Sequence, residues 1–108
     1  MVTFDTVRRI MMKFPGVEEG TSYGTPSFKV KGKFILRLRE DGDLALKVGF
    51  DNAEMLMTAN PKTFYITDHY RGYPAVLVRM SRVTRQQLAD VLEMAWHANA
   101  PKKLLKSV

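Results

Sequence analysis

The densest group of chemically capable side chains in this sequence is TDHYRGY, residues 67–73. An aspartate next to a histidine can poise an imidazole for acid–base work. Asp68, His69, Tyr70, Arg71 and Tyr73 therefore form a candidate loop site. Catalysis also needs a nucleophile and an oxyanion donor in the same constellation. No matched partner follows downstream, and only Tyr23, Thr25 or Ser27 are available to approach in space. The expectation is a non-enzymatic protein with no catalytic residue and a polar loop in which Tyr70 and Tyr73 pack over a sheet.

Metal and cofactor chemistry is not expected either. His97 lies near the end of a helical pattern, where a positive imidazole suits the dipole. It is far from His69, and neither has carboxylates at ligand spacing. There is no cysteine, which removes thiolate ligands and disulfides and suits a reducing compartment. The glycines at 16, 20, 24, 32 and 42 are scattered as in turns, not gathered into a phosphate loop.

A different chemistry is written in FKVKGKFILRLR, residues 28–39. Strand side chains alternate between faces, so the register of a hairpin at Gly32 decides where the charge goes. A three-residue loop, Lys31-Gly32-Lys33, places Phe28, Val30, Phe34, Leu36 and Leu38 on one face. Lys29, Arg37 and Arg39 then share the other, with Lys31 and Lys33 at the turn. A two-residue loop would mix the sets, and burying an unpaired lysine is costly, so segregation is expected. Lys47 and Arg79 add to the basic face, giving a surface suited to a phosphate backbone. That outer face is expected to carry Ile35 but no aromatic side chain. Stacking platforms for single strands need aromatics, so binding is expected to be backbone-led and weakly sequence-specific. A solvated sheet face protected by lysines would look similar.

The whole chain supports the same partner class. Seventeen Lys and Arg against eleven Asp and Glu give a net charge of +6 and a pI near 9.8, which favours polyanions. No apolar run approaches the roughly 20 residues of a membrane span, and residues 1–14 lack the apolar centre of a signal peptide. A cytoplasmic protein with one domain over residues 1–108 is expected, as a monomer or weak homodimer.

The elements that must position these residues follow from pattern. Thr3 to Phe14 has helical spacing and stops at Pro15-Gly16. Ser27–Lys31, Lys33–Arg39 and Leu44–Val48 have strand character, joined by turns at Gly32 and Asp41-Gly42. Asp51 is placed as the cap of a short helix that ends at Asn60-Pro61. Phe64–Ile66 and Ala75–Met80 are two further strands around the Asp68–Tyr73 loop. Thr84 and Gln87 form a capping box for a helix to Ala98 that faces Leu88, Val91, Leu92 and Ala95 inward. Trp96 is placed at its boundary, and Pro101 precedes a basic tail, Lys102 to Lys106. Met11, Met12, Met55, Met57 and Met80 are assigned to core filling. The fold class is α+β: a two-layer domain with an antiparallel sheet of five or six strands and helices packed on one face.

Three blocks carry a resemblance: YGTPSFKVKGKF (23–34), LREDGDLALKVGFDNAEML (38–56) and TDHYRGYPAVLVRMSRV (67–83). They resemble the MmcQ/YjbR-like family over nearly the whole chain. The resemblance implies a fold like that of secretion chaperones and frataxin-type domains. It also implies DNA binding through two β-hairpin wings, here around Gly32 and Gly42. The chain departs from the family's pattern at Arg71-Gly72-Tyr73-Pro74 and at Ala95-Trp96. The alternative is a protein-interaction or chaperone-like module, which predicts an exposed apolar patch.

Overall fold

The computed structural model describes residues 2–105, so Lys106 of the basic tail lies outside the described residues. Helix α1 (Phe4–Met11) leads into β1 (Val17–Ser22), β2 (Thr25–Val30), β3 (Lys33–Leu38) and β4 (Leu44–Lys47). Helix α2 (Phe50–Ala59), β5 (Phe64–Tyr65), β6 (Ala75–Val78), α3 (Arg85–Asn99) and the short α4 (Lys102–Leu105) complete the order. The six strands form one antiparallel sheet in the order β1-β2-β3-β4-β6-β5. This is the expected α+β architecture, with α1, α2 and α3 over one sheet face.

The inner face is set by register. Phe28 pairs with Leu36, Leu36 with Leu46, and Leu46 with Val76, while Leu38, Leu44, Val78 and Phe64 form the next row. These residues meet Leu88, Val91, Leu92 and Ala95 of α3 in one core. Thr84 caps α3 as its sequence predicts, accepting from the Gln87 N–H while the Gln87 side chain returns to the Thr84 N–H. Trp96 is fully buried rather than at the boundary. Its Nε1–H donates to the Pro15 carbonyl at 3.1 Å, and its ring stacks on Phe14 at 5.4 Å. That contact ties α3 to the turn that ends α1.

Four further expectations need correction. The β2–β3 loop has two residues, not three: Val30 pairs with Lys33, with Lys31 (φ 48°) and Gly32 (φ 83°) both left-handed, the type I′ pattern that matches strand twist. The conflict this creates is resolved by a β-bulge at Ile35, one extra residue that restores the Phe28–Leu36 pairing. Ile35 is thereby in the core, and Phe34, opposite Lys29, turns to the outer face. Second, β1 exists where no strand was read, an edge strand with only Val17 buried. Third, α2 starts from Gly49 at φ 93°, not from Asp51. Fourth, Met12 and Met55 are half exposed, at 52% and 51%, rather than core.

On the helix side of β1, Arg8 grips Glu19 through two bonds of 2.8 and 2.9 Å. The guanidinium's hydrogen bond holds the Glu19 carboxyl below its ordinary value. Among the described residues, no helix is long and apolar enough to cross a membrane.

Candidate functional site

The outer sheet face is built from two rows. One runs Gly20, Ser27, Arg37, Ala45, Leu77, Tyr65, and the other includes Glu18, Lys29 and Phe34, with Lys47 beside Ala75. It is only partly open to solvent. Ser27, Ala45 and Leu77 are nearly inaccessible despite facing away from the helices. Ser27 is bonded to Ser22 and lies beside Arg37. Over Ala45 the cover is the segment 67–74, which folds back over the face after β5. A 3₁₀ turn at Asp68–Tyr70 begins it, and the Tyr73 N–H donates to the Tyr70 carbonyl at 3.0 Å. Its end is fixed where the Pro74 carbonyl accepts from the N–H groups of Val48 and Gly49, at 3.1 and 3.0 Å.

Between this segment and the strands lies a half-open cleft of about 760 Å³. Lys29, Arg37 and Lys47 reach it from the sheet, and His69, Tyr70 and Tyr73 reach it from the loop. The two candidate regions read separately in the sequence are thus one site. Lys47 is held from behind, because its carbonyl accepts from the buried Asn99 amide at 2.9 Å. The other members expected for these groups lie elsewhere. Lys31 and Lys33 are exposed at the hairpin turn, and Asp68 and Arg71 pair with each other at 2.9 Å. Asp68 therefore gives its carboxylate to Arg71 rather than to His69.

Arg37 is engaged within the site. Its guanidinium donates to Thr25 Oγ1 and the Leu38 carbonyl, pairs with Glu40 at 3.4 Å and lies 5.2 Å from the Tyr23 ring. Arg39 belongs to a neighbouring network. It pairs with Asp41 at 3.0 Å, donates to the Tyr65 hydroxyl at 3.3 Å and sits under the Tyr70 ring. Tyr65 donates in turn to Asp43, whose other oxygen accepts from the Met80 N–H. Burial first, then the bond to Asp43, push the Tyr65 hydroxyl up to about 12. Arg79 completes this cluster, with its guanidinium 4.1 Å from the Tyr65 ring and its Nε donating to the Lys62 carbonyl.

Tyr23, named from the sequence as able to approach the loop, does line the cleft with it, whereas Phe34 and Glu40 were missed as cleft residues. The expectation of an outer face without aromatics is therefore wrong, because the bulge turns Phe34 outward and the turns bring tyrosines to it. Among the described residues Tyr23 is the most exposed large apolar side chain, at 88%, and it occupies φ 54° in a two-residue turn with Gly24. The signal was present as Tyr-Gly between Ser22 and Thr25, but it reads as a hairpin only once β1 is recognised. The Gly32 and Gly42 turns lie at opposite ends of β3, so they do not project together as a pair of wings. The turn that shares an end with Gly42 is Tyr23-Gly24.

Known proteins place this architecture. The crystal structure of Deinococcus radiodurans protein DR2400, a DUF419 domain, is similar over 99% of this chain and 88% of its own, with a TM-score of 0.77. At 23% identity, that likeness is one of fold. Uncharacterized proteins of Mycobacterium tuberculosis and Mycobacterium bovis are 36% identical over 52 residues, 48% of this chain. The match spans only 40% of those relatives' own length. The YjbR family profile matches residues 12–98, from the end of α1 through nearly all of α3 and including every cleft residue named above. This chain belongs to the YjbR family.

Proposed function

We propose that this protein binds nucleic acid without catalysis, through phosphate contacts in the cleft on its outer sheet face. The observation that carries the reading is the convergence of three cations, Lys29, Arg37 and Lys47, in one concave site with a single opposing carboxylate, Glu40. A concave site lined by one sign of charge concentrates a polyanion. Lys29 and Lys47 enter no ion pair among the described residues, so they are the cations free to displace counterions from phosphates. Arg37 and Arg39 serve chiefly to hold Tyr23, Tyr65 and Tyr70 in place. Non-enzymatic binding fits His69, whose neighbouring carboxylate is committed to Arg71. An interaction module has less behind it, namely two exposed side chains on α2, Phe50 and Met55.

The test is a fluorescence titration of a mixed-sequence oligonucleotide across salt concentrations. Each phosphate contact contributes about 0.7–0.9 to the salt slope. The double variant Lys29→Gln/Lys47→Gln is expected to bind more weakly, to lose between one and two units of slope and to keep its unfolding midpoint. An unchanged affinity and slope in a folded double variant would remove the cleft from the role.

A further inference from the structure

Phosphate contacts alone would be served by a flat basic face, and this site is not flat. Four aromatic side chains enter it from three separate elements: Tyr23 from the β1–β2 turn, Phe34 from β3, and Tyr70 and Tyr73 from the covering segment. Tyr73 is 59% exposed and Tyr23 is 88% exposed. Neither is needed to fill the core. Tyr70 is braced on one side by Arg39 and edge-on by His69 and Tyr73. Arg37 backs Tyr23, which leaves the far side of that ring free.

The backbone under Tyr23 adds to this. A type I′ turn favours Asn or Gly at its first central position, and a bulky residue at positive φ is uncommon and clusters at functional sites. Lys31 shares the conformation at the β2–β3 turn but lies outside the cleft. At Tyr23 it carries a solvent-exposed ring on the rim of the cleft, where Asn would serve the turn better.

We infer that the cleft takes unpaired bases, so that the protein selects single-stranded nucleic acid over duplex. This rests on the nucleic-acid reading above and narrows its ligand. A duplex keeps its base faces stacked inside and offers only their edges in the grooves. It cannot present a ring face to Tyr23, Phe34 or Tyr73, and the 67–74 segment stands above the sheet where a rigid cylinder would have to lie. An unpaired strand can place bases in the cleft while its phosphates meet Lys29 and Lys47. Stacking of this kind is tolerant of sequence because every base has a π face.

The decisive comparison uses three fluorescent probes of equal length at one salt concentration: a mixed-sequence single strand, the same backbone with abasic residues, and the corresponding duplex. The single strand is expected to bind about tenfold or more tightly than either other probe, the equivalent of one stacked base. Tyr23→Asn relaxes the turn, so this variant is expected to melt no lower than wild type yet to lose most of the preference. Tyr73→Ala, at an exposed loop position, is expected to act in the same direction. Equal binding of all three probes would overturn the inference while leaving phosphate-led binding intact. Failure of all three to bind at low salt would overturn both. A preference that survives in folded Tyr23→Asn and Tyr73→Ala proteins would mean that these rings do not read the bases.

Discussion

Tyr65 is where burial and a neighbouring carboxylate act in the same direction on one hydroxyl. Both disfavour the phenolate, and the folded-state value of about 12 stands above the ordinary 10. The folded protein therefore keeps a proton that the unfolded chain releases first. The resulting stabilisation is complete below about pH 10 and disappears as the pH rises through 10 toward 12. Urea unfolding of wild type and Tyr65→Phe at about pH 9 and about pH 11.5 measures this directly. Wild type is expected to lose more stability over that interval than the variant, since lysine titration affects both alike. Parallel losses would show that the Tyr65 hydroxyl titrates alike in the folded and unfolded chain. Tyr23 makes the complementary case, a residue whose backbone conformation opposes its side-chain type and whose ring faces the cleft.

At the scale of elements, α3 is the piece that the rest of the chain is assembled on. Its buried face meets β3 and β4, its Trp96 holds the Pro15 carbonyl, and its Asn99 holds the strand end that carries Lys47. Trp96→Ala removes a fully buried ring and strands that carbonyl, so it is expected to cost about 3–5 kcal/mol in denaturant unfolding. A loss below about 1 kcal/mol would mean that the α1–β1 turn is not anchored there. This helix was legible because capping box, apolar stripe and stop agree with one another. Strand β1 was not. VEEGTS has one buried position, and its pairing energy comes from β2, whose place beside it no local pattern reveals. The β2–β3 hairpin was half legible. Its apolar residues had to face the core, but a bulge achieves that as well as a longer loop does. Only the bulge sends Phe34 outward, and with that choice the chemistry of the outer face changes.

For the whole molecule, a net charge of +6 says that a polyanion is a favoured partner but not where it would sit. Folding divides the cations into two kinds. Arg8, Arg9, Arg37, Arg39 and Arg71 are each paired with a carboxylate, whereas the lysines of the cleft and hairpin tip are not, among the described residues. Most of these pairs are local, two to four residues apart, and only Arg8–Glu19 joins separate elements. A count of net charge does not separate the paired arginines from the unpaired lysines. The site itself arises from topology: the chain passes from β4 through α2 to the edge strand β5 and returns to β6 beside β4. The β5–β6 connection lies over the outer face and brings His69, Tyr70 and Tyr73 to the cleft that Lys47 also lines. The residues of both halves were visible in the sequence, but their meeting was not.

The claim that the covered outer face is the binding site is most directly tested by amide chemical-shift mapping during titration with a short single-stranded oligonucleotide. Binding in the cleft predicts that the largest changes fall at Tyr23, Lys29, Phe34, Lys47 and His69 through Tyr73, with α2 silent. Changes concentrated instead at the Lys31–Lys33 tip, or on α2 around Phe50 and Met55, would contradict it.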